Sequence, residues 1–275
     1  MSTIHKPTER VIDILKCVAN SEKGCTLTNI TNTTGISKGT AFPILSTLTD
    51  YGFLYKSPQS NLYTIGAECF STGYSFLNNI DIFDVITDTM DEIVHECSEI
   101  CQLGTFQNGE VLYIAKSEPY RAIKLMSNVG RSLPAYASAL GKCLLSSLSD
   151  EEIRELYSTG LKPLTQNTLT DINVLLEQIN NVRINNYAFE KGESSPDIEC
   201  IAVPLKCHNH IFASISISIP IYRSSAKKIK KMLALLLKQK ENLENFINTS
   251  GIDVTLTSII HENKGGYHPE PLPVK

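Results

Sequence analysis

Two sets of residues in this chain of 275 carry side chains and spacing suited to binding chemistry. The first is Thr26, Ser37, Lys38, Gly39, Thr40 and Phe42, continued by Lys56 and Asn61. Ammonium, hydroxyl and amide groups of this kind bond phosphate, and residues at the start of a helix can reach base edges. The second set is Ser138-Ala139-Leu140-Gly141 together with the alternating run A-S-I-S-I-S-I from Ala213 to Ile219. Ser138 caps a helix, so the N–H groups of Ala139, Leu140 and Gly141 form a ready anion site. Period two then puts Ser214, Ser216 and Ser218 on one strand face, offering hydroxyls, with the isoleucines on the other.

Covalent and metal chemistry find less support. The eight cysteines (17, 25, 69, 97, 101, 143, 200 and 207) are scattered and never form C-x-x-C. In a chain this long they read as small buried hydrophobes or free thiols. His95/Cys97/Cys101 and Cys207/His208/His210 are the local clusters with ligand chemistry, and neither has structural-zinc spacing. No metal, cofactor or catalytic residue is therefore expected.

The elements that must position the first set can be read in order. Thr26 caps a short helix with Leu27 and Ile30 on its inner face. Gly35 supplies a left-handed turn, and Ser37 caps a second helix with Ala41, Ile44, Leu45 and Leu48 turned inward. Pro43 interrupts that helix pattern, so the helix either starts near Thr40 or is kinked. Two β-prone runs, Phe53–Tyr55 and Leu62–Ile65, flank a turn rich in Pro, Ser and Asn. Helix, glycine turn, helix and ribbon make a winged helix-turn-helix, with Thr8–Asn20 as its first helix.

For the second set, the period changes. Helices are expected over Ala67–Asn79 and Asp81–Ser98, then strands Glu99–Gln107 and Glu110–Lys116 about the hairpin dipeptide Asn108-Gly109. A third strand is expected over Arg121–Ser127, a loop over Val129–Tyr136 and a helix from Ser138. Ser149 and Glu152 form a capping box, and a helix runs from Thr170 through Asn185. A closing hairpin, Cys200–Cys207 and Ile211–Ile219, precedes a long amphipathic helix from Ser225 to Asn248. Its K-K-I-K-K run reads as a solvated face. The fold class is α+β, with an antiparallel sheet flanked by helices after the winged helix.

Composition agrees with a soluble protein: 42% hydrophobic and 20% charged residues, with no apolar run long enough to span a membrane. The N-terminus does not resemble a signal peptide, and a cytoplasmic location is expected. Residues 1–75 carry a net charge of +1 within a chain of net −4, the right sign for nucleic acid but weak support.

Several stretches together resemble the IclR family of transcription regulators. They are T-E-R-V-I-D-I-L, G-I-S-K-G-T, Y-G-F-L with Y-T-I-G, V-G-R-S-L-P-A-Y-A-S-A-L-G-K-C-L-L, N-T-L-T-D, N-Y-A-F-E through C-I-A-V-P, and I-S-I-S-I-P. The resemblance covers nearly all of residues 5–250. It implies a DNA-binding domain over 1–66, a linker helix over 67–80 and a GAF-like effector domain over 81–250; the Gly/Pro-rich end of the 251–275 tail is itself expected to be partly mobile. It further implies a homodimer or homotetramer on a palindromic operator near metabolic genes. By position it implies an effector pocket at Ala139, Leu140, Glu190, Cys200, Ser216 and Ser218, to which the anion-site reading adds Gly141. The sequence departs from the family pattern at Pro43, at Glu190 where aspartate is common, and over Glu193–Ile198. The expected function is a ligand-responsive regulator, more often repressor than activator, controlled by a small carboxylate such as a sugar acid or keto acid. The alternatives are a thiol redox sensor using Cys97, Cys101 or Cys200, and an enzyme with Cys200 as nucleophile and His208 or His210 as base.

Overall fold

The structure, a computed structural model, describes residues 4–21, 23–78, 82–119 and 129–250. The expected strand over Arg121–Ser127 and the tail 251–275 lie outside the described residues, as do Asn79 and Asp81. The chain divides into two compact units, Met1–Asn79 and Ile80–Lys275.

The first unit is a winged helix. Helix α1 (Lys6–Ala19) starts two residues before the expected Thr8, because Pro7 lies in its first turn, where a missing N–H costs nothing. Helix α2 (Leu27–Thr34) opens on a capping box between Thr26 and Asn29 and ends at Gly35, whose φ of 69° is left-handed. Helix α3 (Lys38–Asp50) runs through Pro43. It does not start at Thr40. Pro43 is exposed, so its ring meets solvent, and its missing N–H leaves the Gly39 carbonyl without its usual helical donor. Ile14, Ile30, Ala41 and Leu45, all fully buried, lock the three helices together. Strands β1 (Leu54–Lys56) and β2 (Tyr63–Ile65) pair antiparallel as the wing. Helix α4 (Ala67–Asn78) follows.

The second unit is built on a six-stranded antiparallel sheet in the order β5-β4-β3-β8-β7-β6. Helix α5 (Phe83–Cys97) leads into β3 (Ile100–Gln107) and β4 (Glu110–Ser117), which turn at Asn108-Gly109 with positive φ at both residues. Residues Ser132–Pro134, expected to be loop, form β5 and add an edge to β4. A 3-10 turn (Ala135–Ala137) leads into α6 (Ala139–Leu145), followed by α7 (Asp150–Leu156) on its Ser149/Glu152 capping box. Helix α8 (Ile172–Asn185) is capped by the carboxylate of Asp171, which displaces the expected Thr170. Strand β6 (Ala188–Lys191) was not foreseen; it pairs with β7 (Ile198–Cys207), and β8 (His210–Pro220) completes the sheet. Helix α9 (Ala226–Ser250) closes the unit. Its basic run is largely solvated, but Lys228 reaches inward to the buried carboxylate of Glu99.

Alternation along β8 sorts the layers. Ser214, Ser216 and Ser218 face α6, and Ser214 donates to the Leu140 carbonyl at 3.0 Å. Ile215, Ile217 and Ile219 take the opposite face, where α5 and α9 pack on the sheet. Both faces are covered, so the serines are buried and not a solvated surface. Helix α6 reaches the sheet because Gly141 lies on the Ala135 backbone. A Cβ at Gly141 would fall 2.0 Å from the Ala135 carbonyl oxygen.

That contact sets a stability prediction. Gly141→Ala should lower the stability of the full chain in urea titration by about 3 kcal/mol, the cost of overpacking a closed site. Ser149→Ala, which removes only a cap, should cost about 1 kcal/mol. A Gly141→Ala loss no larger than that of Ser149→Ala would contradict the packing described.

Candidate functional site

The first candidate face is the start of α3 together with the wing. Ser37, Lys38, Gly39 and Phe42 are exposed there, and Thr40 is half-buried. Ser37 occupies the cap position, yet its side chain makes no capping bond. Its hydroxyl pairs with that of Thr40 at 3.0 Å, and this competing partner draws it from the helix N–H groups. Thr26 lies apart, at the start of α2, with its oxygen accepting from Asn29 N–H at 3.1 Å. Lys56 ends β1, exposed, with its ammonium 5.5 Å from the centre of the Tyr63 ring. Asn61 turns the wing in a left-handed conformation (φ 55°) and donates its N–H to the Ser57 carbonyl. Lys56 and Asn61 therefore both belong to the wing.

The second candidate site is a polar row across the sheet. Register places Glu190 on β6 opposite Cys200 on β7, and Cys200 opposite Ser218 on β8. One step along, Ala202 faces Ser216, and Ser216 faces Gln102 on β3. The Ser218 hydroxyl donates to Gln102 Oε1 at 3.0 Å and lies 3.2 Å from Cys200 Sγ. Cys200 sits in an interior strand, deep in the unit, yet remains half-buried while Glu190 and Ser218 beside it are buried. At α6, the Gly141 N–H donates to Ser138 Oγ at 3.0 Å and so is not free for an anion, contrary to expectation. Ala139 and Leu140, both buried, hold the remaining N–H groups of that turn.

Two carboxyls dominate the electrostatics. Glu190 Oε1 accepts from the N–H groups of Glu193 and Ser194, both at 2.8 Å, and from the Ser194 hydroxyl at 3.1 Å. Glu193 Oε1 meets Lys142 Nζ at 2.5 Å, and neither side chain is appreciably exposed. Among the described residues, Glu190 Oε2 and Glu193 Oε2 are buried oxygens without a hydrogen-bond partner of normal geometry. Burial pushes the Glu190 carboxyl above its ordinary 4.5, against the opposing pull of the Ser194 N–H and the nearby Cys200 thiol. Burial likewise raises Glu193, and the Lys142 charge offsets part of that rise. Burial and the Glu190 charge hold the Cys200 thiol well above 9, and burial raises Cys97 and Cys101 too. Reactive cysteines need the opposite shift, so this chemistry disfavours both thiol readings. His208 and His210 also sit at the far end of the hairpin: Cys200 pairs with Ser218, whereas His210 pairs with Cys207.

Residue types alone did not reveal Gln102, Tyr113, Lys142, Glu193 or Ser194 as parts of this site. Tyr113 is buried close enough to Cys200 and Glu190 for their charges to raise its phenol, after burial itself. A signal existed for Lys142: it is a lone charge in the apolar run A-L-G-K-C-L-L, on a helix with no exposed side.

Comparison with known proteins places this architecture. Residues 74–245 match the family model for the bacterial transcriptional regulator IclR C-terminal domain, and residues 7–58 match the IclR helix-turn-helix domain. The HTH-type transcriptional regulator KdgR of Escherichia coli is 27% identical over 229 residues, covering 82% of this chain and 87% of that protein. The transcriptional repressor IclR of Escherichia coli is 26% identical over 233 residues, covering 83% and 85%. Among solved structures, an IclR homologue from Microbacterium hydrocarbonoxydans complexed with 4-hydroxybenzoate superposes with a TM-score of 0.78 at 20% identity. It covers 89% of this chain and 100% of that one. These relatives are regulators and not enzymes. The chain belongs to the IclR family of bacterial transcription regulators, with a DNA-binding winged helix ahead of an effector domain.

Proposed function

We propose that this regulator is a cytoplasmic repressor of a catabolic operon, released by a small carboxylate metabolite of the sugar-acid or keto-acid class. The observation that carries the effector reading is the buried polar row Glu190–Cys200–Ser218, in which Glu190 Oε2 has no hydrogen bond of normal geometry beyond the nearby Cys200 thiol. Its geometry suits a ligand with a hydroxyl near Glu190 Oε2, oxygens near Ser216 and Ser218, and an anionic end at the Ala139 and Leu140 N–H groups. An aromatic carboxylate bound by a structural neighbour is consistent with the carboxylate end alone.

On the DNA side, α3 enters the major groove with Lys38, Gly39, Thr40 and Phe42 foremost, and Lys56 and Asn61 of the wing take phosphate. Thr26 and Ser37 act mainly by fixing the helix starts. One winged helix reads a short half-site, so specificity calls for a homodimer or homotetramer on a palindrome. The exposed Phe70 and Tyr74 of α4, with ring centres 5.8 Å apart, offer an apolar surface for pairing.

Titration calorimetry against sugar acids, keto acids and aromatic acids tests the effector class. A sugar acid should bind, and Ser218→Ala should weaken it by about 0.5–1.5 kcal/mol through one lost hydrogen bond, with DNA binding unchanged. Binding of aromatic or cationic compounds alone would contradict the assignment.

A pH prediction follows from the raised carboxyls. Between 4.5 and the raised folded values, the folded chain holds protons that the unfolded chain has released. Stability of the ligand-free protein therefore gains from these groups as pH falls towards 4.5, and this gain is lost as pH rises through the folded values. Glu190→Gln should flatten the urea midpoint between pH 4.5 and neutrality relative to the parent. Parallel profiles for the two proteins would show that Glu190 titrates normally.

A further inference from the structure

The outward face of α3 carries one side chain able to pair with a purine edge, Lys38 at its start. After Lys38, the helix has no further Lys and no Arg, Asn or Gln, the residues that grip guanine or adenine edges in a bidentate manner. Two hydroxyls nearby are already engaged: Thr47 donates to the Pro43 carbonyl at 2.9 Å, and Thr40 pairs with Ser37 at 3.0 Å. Beside the exposed hydroxyl of Ser46, this face presents apolar groups. Phe42 is 57% exposed, and Pro43 beside it is exposed as well. Gly39 lies three and four residues earlier, on the same side of the helix. A Cβ added at Gly39 would meet nothing within 4 Å, so the helix surface is open there.

The apolar group on a base edge in the major groove is the thymine C5-methyl. The exposed Phe42 and Pro43 rings can take such a methyl by apolar contact, and neither ring offers a donor to guanine or adenine. We propose that α3 reads its half-site chiefly through thymine methyl groups seated against Phe42 and Pro43. Lys38 adds an ammonium, with its charge and three N–H donors, at the helix start. This assignment rests on α3 being the DNA-reading helix and specifies what that helix selects.

The test begins with duplexes enriched by the full-length protein from a random pool. Each thymine of the enriched half-site is then replaced by deoxyuridine, which removes only the methyl. One or two positions per half-site should each weaken the parent protein about four-fold, the worth of one buried methyl-sized group. Phe42→Ala, at an exposed position that folding does not need, should bind the thymine duplex less well and be indifferent to uracil at those positions. Uracil without effect on the parent, or an equal uracil effect in Phe42→Ala, would overturn the thymine assignment. Lys38→Ala separates the two levels of the reading. If Lys38→Ala weakens binding while uracil does nothing, only the thymine assignment fails. If Lys38→Ala and Phe42→Ala both leave binding intact, α3 is not the reading helix and both fail together.

Discussion

The effector unit depends on one buried ion pair. Lys142 is wholly buried on α6, and its Nζ lies 2.5 Å from Glu193 Oε1 in the turn after β6. Two charges removed from water gain little net stability, because desolvation cancels most of their attraction. Their worth is positional: either charge left alone in that interior is costly, so α6 and the β6–β7 turn must meet in one register. That register carries the rest. The turn that holds Glu193 also aims two backbone N–H groups at Glu190 Oε1, beside the Cys200–Ser218 row. Thr168 fastens the same turn from outside, its hydroxyl donating to the Glu193 carbonyl at 2.7 Å. On the other flank, α6 lies against Ala135 through Gly141 and accepts from Ser214 at the Leu140 carbonyl.

A common economy runs through both units. Many hydroxyls that look available for ligands are spent on holding backbone in place: Thr26 in its capping box, Ser37 on Thr40, Ser138 on Gly141, Ser214 on Leu140. What remains open is sparse and therefore selective. In the effector unit it is the Glu190 carboxyl beside the Cys200 thiol, and two helix N–H groups. In the winged helix it is an ammonium at Lys38, another at Lys56, and an apolar face at Phe42.

Much of this was legible in the sequence because local signals and tertiary packing agree. Gly35 needs positive φ, Asn108-Gly109 forms its tight hairpin, and Ser149 with Glu152 forms its capping box, as the residue types alone suggest. The serine alternation of β8 identified the face that carries the polar row, although that face proved buried. The misses have physical causes. Strand β6 is four residues long, and β5 three, too short for a period to show. Pro43 broke a pattern that the helix tolerates by turning the ring to solvent. The Lys142–Glu193 pair joins residues 51 apart, a distance over which no local rule speaks.

The most direct test of this account is a double-mutant cycle on the ion pair, read by urea unfolding of the full chain. Lys142→Met should cost about 3–5 kcal/mol by stranding Glu193, and Lys142→Met with Glu193→Leu should recover most of that loss. A single substitution costing under about 1 kcal/mol, or a double no better than the single, would show that the pair does not organise the site.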